Sequence, residues 1–225
     1  MRAAGPGHRS TASRLVACEG PKPRSIDHVS ETTGLRDRAR RAMRAEVAVV
    51  AFDLFARRGF DHTTVDDIAR AAGMSRTSFF RYFPTKEDVV LGHLEELGGL
   101  IEATVKARPC GEDPWLGLRA GFQAAYESSG SSPVRALSLG RMLAETPSLK
   151  ARQVEKQARW QNLLVPEVAR RLGLADDPAD PRPRALVAAA LGCLDAAFQA
   201  WATTDGEVGM PAFIDRAMDV VTTRS

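Results

Sequence analysis

The chain has 225 residues, 44% hydrophobic and 26% charged, with a formal net charge of +3. That length admits one large helical domain, or a small domain joined to a larger one. Cys18, Cys110 and Cys193 are far apart and odd in number, which suggests neither a disulfide framework nor a zinc knuckle and fits a reducing cytoplasm.

Alanine is abundant and few segments alternate apolar with polar, so helix is expected nearly throughout. No apolar run is expected to reach the roughly 20 residues that span a membrane, and the first residues lack the apolar core of a secretory signal. Charge is unevenly spread. Residues 1–90 carry 16 Lys and Arg against 11 Asp and Glu, a net of +5, and the remainder carries 15 against 17. A basic N-terminal half is either a footprint for phosphate contact or an ordinary solvated face.

Residues 1–34 are rich in Gly, Pro, Ser and Arg and read as a disordered arm. A helix is expected from Leu35 to Arg58, with Val47, Val50, Ala51, Leu54 and Phe55 as its buried stripe and Gly59 as its stop. Its first turns hold Arg36, Arg38, Arg40, Arg41 and Arg44. These either reach DNA phosphates or a minor groove, or simply solvate the helix start.

Thr63 to Phe83 reads as a short helix, a tight turn and a second short helix. Thr64 caps the first, and Asp66 and Asp67 favour its positive end. Val65, Ile68, Ala69 and Ala72 form one stripe, and Gly73 supplies the positive φ that ends the helix. Ser75 caps the second helix, and Phe79 and Phe83 face inward. Arg76, Thr77, Ser78 and Arg81 are left outward, equipped to enter a DNA major groove.

After Pro84, Thr85 caps a longer helix expected to run to Arg108. Asp113 and Pro114 open the next, to Ser128. Further helices are expected from Pro133 to Glu145, from Pro147 to Leu172 with Pro166 kinking or splitting it, and over 184–204 and 211–222. The plan is all-α with about nine helices: a helix-turn-helix unit over 35–84 and a larger helical bundle for ligand binding and dimerisation over 85–225.

This order of motifs resembles the tetracycline-repressor (TetR) family of bacterial transcriptional regulators. The match runs from about Arg40 to Glu96: Leu-Phe-Ala-Arg-Arg-Gly-Phe, Thr-Thr-Val-Asp-Asp-Ile-Ala, Ala-Gly-Met-Ser and Phe-Arg-Tyr-Phe-Pro-Thr-Lys-Glu. The resemblance implies a dimeric repressor on a palindromic double-stranded operator, released by a small-molecule effector, with no catalytic activity, metal or fixed cofactor. It places Thr64, Tyr82 and Lys86 at phosphates, Ser78 at phosphate or base, and Arg76 and Thr77 at base edges. Phe80 stands where the family usually has Tyr, which keeps the ring and loses the hydroxyl.

For the effector pocket, the family plan offers His93, Trp115, Arg119, Phe122, Gln123, Tyr126, Met142, Trp160, Phe198 and Trp201 as candidates. A mostly apolar ligand suits them. Met142–Trp160 is loosely similar to mycofactocin-associated regulators, a subgroup associated with acyl-CoA-type effectors. For the dimer interface the same plan offers Leu186, Ala189, Ala190, Cys193 and Ala197 on one helix, and Phe213, Ile214, Ala217, Met218 and Val221 on the last.

Other readings stay open. A ligand-independent DNA-binding protein or an activator shares the same DNA half. A helical enzyme is the remote case: the four histidines (His8, His28, His62, His93) lack metal spacing, and there is neither a glycine-rich phosphate loop nor a nucleophile elbow.

Overall fold

In the computed structural model, residues 30–128, 133–175, 177–204 and 208–222 are described, and among them every regular element is a helix. There are ten: α1 (Ser30–Arg58), α2 (Val65–Ala71), α3 (Arg76–Tyr82), α4 (Glu87–Leu91), α5 (Leu94–Ala107), α6 (Pro114–Ser128), α7 (Pro133–Glu145), α8 (Pro147–Arg171), α9 (Arg182–Ala202) and α10 (Met210–Thr222). Residues 1–29 of the expected arm lie outside the described set. α1 nonetheless begins at Ser30, inside the stretch expected to be disordered, because extending a nucleated helix costs far less than starting one.

Two departures from the expected elements bear on function. The helix expected from Thr85 to Arg108 is two helices, interrupted at Gly92 and His93. A Cβ on Gly92 would lie 2.2 Å from an Arg44 guanidinium nitrogen, so glycine here admits a side chain arriving from α1. Conversely, Pro166 does not divide α8. Leu164 and Val168 on either side of it are fully buried, and their packing offsets the one hydrogen bond that proline removes.

The apolar side chains form two clusters. The first joins Val47, Ala51 and Phe55 of α1 to Ile68, Phe79 and Phe83, and takes in Val89, Val90 and Leu91 of α4 with Leu143 and Leu149 from α7 and α8. The second lies among α5–α10, around Ile101, Leu118, Phe122, Leu164, Val187, Trp201 and Ile214. α4 is thus packed with the helix-turn-helix unit, while α5 belongs to the larger bundle.

α9 corrects another expectation. By length and composition it is apolar enough to cross a membrane, with a mean hydropathy of 1.5. Its Pro183, Val187, Ala190, Leu191, Cys193, Ala197 and Trp201 are instead buried in the bundle.

Candidate functional site

The α2–α3 unit is held by short-range hydrogen bonds. Thr64 Oγ1 accepts from the Asp67 amide at 3.1 Å, and Asp67 Oδ2 accepts from the Thr64 amide at 3.0 Å, closing a capping box. The Thr64 hydroxyl and amide together hold the Asp67 carboxyl below its ordinary pKa. At the far end, Gly73 takes φ +66°. The Gly73 and Met74 amides then donate to Arg70 and Ala69, completing a Schellman turn. Ser75 Oγ accepts from the Ser78 amide at 3.1 Å and opens α3.

α3 buries Phe79 and leaves Arg76, Thr77 and Arg81 exposed, with Ser78 and Tyr82 half-buried. Phe80, 42% exposed, extends this outer face. Arg76 Nη1 donates to both Asp66 oxygens at 3.0 Å, and its guanidinium lies over the Phe80 ring at 5.5 Å. Arg81 lies over Tyr82, and Arg40 of α1 donates to the Arg81 carbonyl. The exposed face therefore combines arginines, hydroxyls and one aromatic ring on a helix of major-groove width.

Two residues expected at DNA point elsewhere. Lys86 Nζ donates to the carbonyls of Phe60 (2.7 Å) and Thr63 (3.1 Å) and sits over the Phe60 ring, fastening the turn before α2. Arg44 is half-buried, against the Phe83 ring and Gly92, in the wall of an internal cavity. Both have long stems that let the chain fold the charge inward, which residue type alone does not reveal.

Between the two clusters lies a cavity of about 600 Å³, walled by α1, α4 and α5 on one side and α6–α10 on the other. His93, Phe122, Tyr126, Trp160 and Phe198 line it, as expected from sequence. The other five candidates do not. Trp115 and Trp201 are core, the latter donating to Val208 O. Arg119 pairs with Asp215 and Asp219, and Gln123 donates to Asp215, so both tie α6 to α10. Met142 lies beside a separate hollow against the end of α1.

The cavity wall also holds residues that sequence reasoning missed: Arg41, Arg44, Asp88, Glu96, Lys156 and Asp195. Asp88 and Lys156 form a buried ion pair at 3.2 Å, which Arg152 joins at 3.2 Å. Burial alone would raise the Asp88 pKa, but hydrogen bonds from Arg152 and Thr85 and the Lys156 charge bring it below its ordinary value. His93 opens onto the cavity, where the enclosing protein lowers its pKa and the nearby Lys156 and Arg44 lower it further. Trp160 Nε1 donates to Leu94 O at 2.8 Å, and its indole fits against Gly98, where a Cβ would come within 2.5 Å of the ring. Among the described residues no group of His, Cys, Asp and Glu could hold a metal ion.

The ten residues expected at a dimer interface divide in two. Ala190, Cys193, Ala197, Ile214 and Met218 are buried within the protomer, where they pack into its own core. Leu186, Ala189, Phe213, Ala217 and Val221 remain at least partly exposed. Beside them α9 exposes Ala185, Ala188, Gly192, Ala196 and Ala200, a row of small side chains.

Residues 49–92 match the family described as bacterial regulatory proteins, tetR family, and residues 112–225 match the family described as MftR C-terminal domain. The chain is 32% identical over 182 residues to MftR of Mycobacterium tuberculosis, covering 78% of this chain and 87% of that one. It is also 32% identical over 161 residues to the transcriptional regulator TcmR of Streptomyces glaucescens, covering 69% and 71%. Among solved structures, Thermus thermophilus FadR, a repressor in complex with lauroyl-CoA, shares the fold at TM-score 0.52 and 24% identity, covering 80% of this chain and 93% of that one. Bacillus subtilis FadR in complex with stearoyl-CoA does so at TM-score 0.53 and 18% identity, covering 79% and 96%.

Proposed function

Because the chain belongs to the TetR family of bacterial regulatory proteins, and is therefore a DNA-binding transcriptional regulator, we propose that it is a ligand-responsive repressor acting as a homodimer on a palindromic operator. Its place of action is the bacterial cytoplasm, and no catalytic role is proposed.

The observation that carries this reading is the shared wall of the cavity. α1 and α4 pack with the DNA-reading unit, and both also line the cavity. A ligand that fills it touches the helices that set the position of α3. Such a ligand relieves repression if it binds the DNA-incompetent arrangement more tightly than the competent one.

At the DNA, Arg76 and Thr77 read base edges and Phe80 packs on a thymine methyl. Thr64, Ser75, Ser78, Arg81 and Tyr82 engage the backbone. The dimer forms through the exposed small-residue row of α9 with Leu186, Phe213, Ala217 and Val221. Small side chains allow close helix approach, and two-fold symmetry then presents two α3 helices to successive major grooves. The effector is largely apolar, as the cavity's aliphatic and aromatic lining requires. The two FadR structures in complex with acyl-CoAs support an acyl-type compound.

The test is selection of bound sequences from random duplex DNA by the purified protein. An enriched palindrome whose complex dissociates on adding an acyl compound supports the reading. A folded, dimeric protein that enriches nothing overturns it.

A further inference from the structure

Among the described residues, Arg44 has no ion-pair partner at the cavity. It stands on α1, lines the cavity, and is half-buried. Its contacts are the face of Phe83, with the ring centroid 5.5 Å away, and the backbone at Gly92. The other buried cation of the lining, Lys156, is paired with Asp88. Two carboxylates, Glu96 and Asp195, also reach the cavity, and neither is ion-paired with Arg44. Arg41, also on the wall, is exposed.

The guanidinium lies close over the Gly92 backbone, where a Cβ would stand 2.2 Å from its terminal nitrogen and 2.4 Å from the Asp88 carbonyl oxygen. The charge thus sits at the break between α4 and α5. A guanidinium keeps its charge under all physiological conditions and offers a fork of N–H donors that matches a carboxylate or a phosphate. Beyond it, Leu97, Leu100, Ile101, Phe122, Leu139 and Phe198 give the cavity an apolar interior.

We infer that the effector is an amphipathic acid whose anionic group pairs with Arg44 while its apolar body lies among those side chains. This deepens the ligand-responsive reading and rests on it. It also assigns the coupling. Arg44 belongs to the helix-turn-helix unit through α1, and it is seated where α4 meets the bundle. An anion drawn to Arg44 therefore acts on the DNA-reading unit directly, at the junction between the two halves.

The experiment compares four probes of equal chain length, below their micelle-forming concentrations: dodecanoate, dodecyl phosphate, dodecanol and dodecyltrimethylammonium. Binding to the full chain is read from tryptophan fluorescence, since Trp160 lines the cavity. On the parent, at least one acid is expected to bind about tenfold or more tighter than dodecanol, and the ammonium weakest, as a charge-assisted hydrogen bond implies. Which acid wins separates a carboxylate ligand from a phosphorylated one. Arg44→Gln is expected to bring the acids to the level of dodecanol while leaving dodecanol unchanged. Arg44→Met, which keeps the packing on Phe83, gives the same reading should the Gln variant fold poorly. A parent that binds no acid better than the alcohol overturns the inference, as does a variant that keeps the preference. Operator binding by the ligand-free protein is measured in parallel. If it is intact while the acid preference is absent, only this inference fails. If no sequence-specific DNA binding exists, the repressor reading fails with it.

Discussion

Lys156 Nζ stands 3.2 Å from Asp88 Oδ1, and the two side chains are only 2% and 4% exposed. The pair joins the middle of α8 to the first turn of α4, and thereby the bundle to the DNA-reading unit. Asp88 is held from its own side as well, by the Thr85 hydroxyl at 2.9 Å. A buried pair of this kind adds less net stability than its Coulomb attraction suggests, because both ions lose water. Its value here is positional: Asp88 holds both Lys156 and Arg152, so one carboxylate of α4 is fastened to two cations of α8.

Removing the shared carboxylate should be the more severe loss. Asp88→Asn is expected to lower unfolding stability by about 3–5 kcal/mol, and Lys156→Met by less, because Arg152 still pairs with Asp88. The double variant Asp88→Asn/Lys156→Met should lose clearly less than the sum of the two single losses. Urea denaturation of the four proteins provides the cycle, and strict additivity would contradict an energetic coupling.

The same pair sets an acid limit. The Asp88 pKa is depressed in the folded state from its ordinary 3.8. A depressed carboxylate contributes stability above its unfolded pKa and loses that contribution as pH falls through the folded value. The parent should therefore lose stability below about pH 4. Asp88→Asn should start lower and fall less steeply there, because it lacks the linked proton. Thermal unfolding across that range decides it. Parallel curves would assign the acid loss to other carboxylates.

At the DNA face, Arg76 and Lys86 should behave differently. Arg76→Ala is expected to weaken operator binding by about 1–3 kcal/mol and to relax preference at one base position, with little change in stability. Lys86→Ala removes a charged donor from two carbonyls and should cost about 1–3 kcal/mol of folding stability. The salt dependence of its DNA binding should stay as in the parent. A fall of about one in the salt slope of the Lys86 variant would show that this lysine contacts phosphate after all.

The dimer assignment predicts a clean separation of assembly from folding. Ala189 and Val221 are exposed on α9 and α10. Ala189→Asp with Val221→Asp should shift sedimentation from dimer to monomer and weaken operator binding, while helix content is retained. Small-residue contacts tolerate no added charge. A variant that stays dimeric would place the interface on another face.

The sequence by itself determined whatever depends on neighbours a few residues apart. The Thr64–Asp67 capping box, the Ser75 cap and the positive φ of Gly73 each close within one turn, so residue type and spacing suffice to read them. The inward stripe of Phe79 and Phe83 and the outward face of Arg76, Thr77 and Arg81 follow from the same local period. The tertiary structure alone decided where the long charged side chains go. Arg44, Lys86 and Lys156 read as surface cations in any local window. Their partners stand far away in the chain: Lys86 meets Phe60, 26 residues back, and Lys156 meets Asp88 across helices. Which expected dimer residues were core, and which aromatics faced the cavity, likewise hung on how the helices of the bundle were rotated against one another. An apolar residue on a helix buried on most sides satisfies several such rotations equally well, and only the packing of all the helices together selects one.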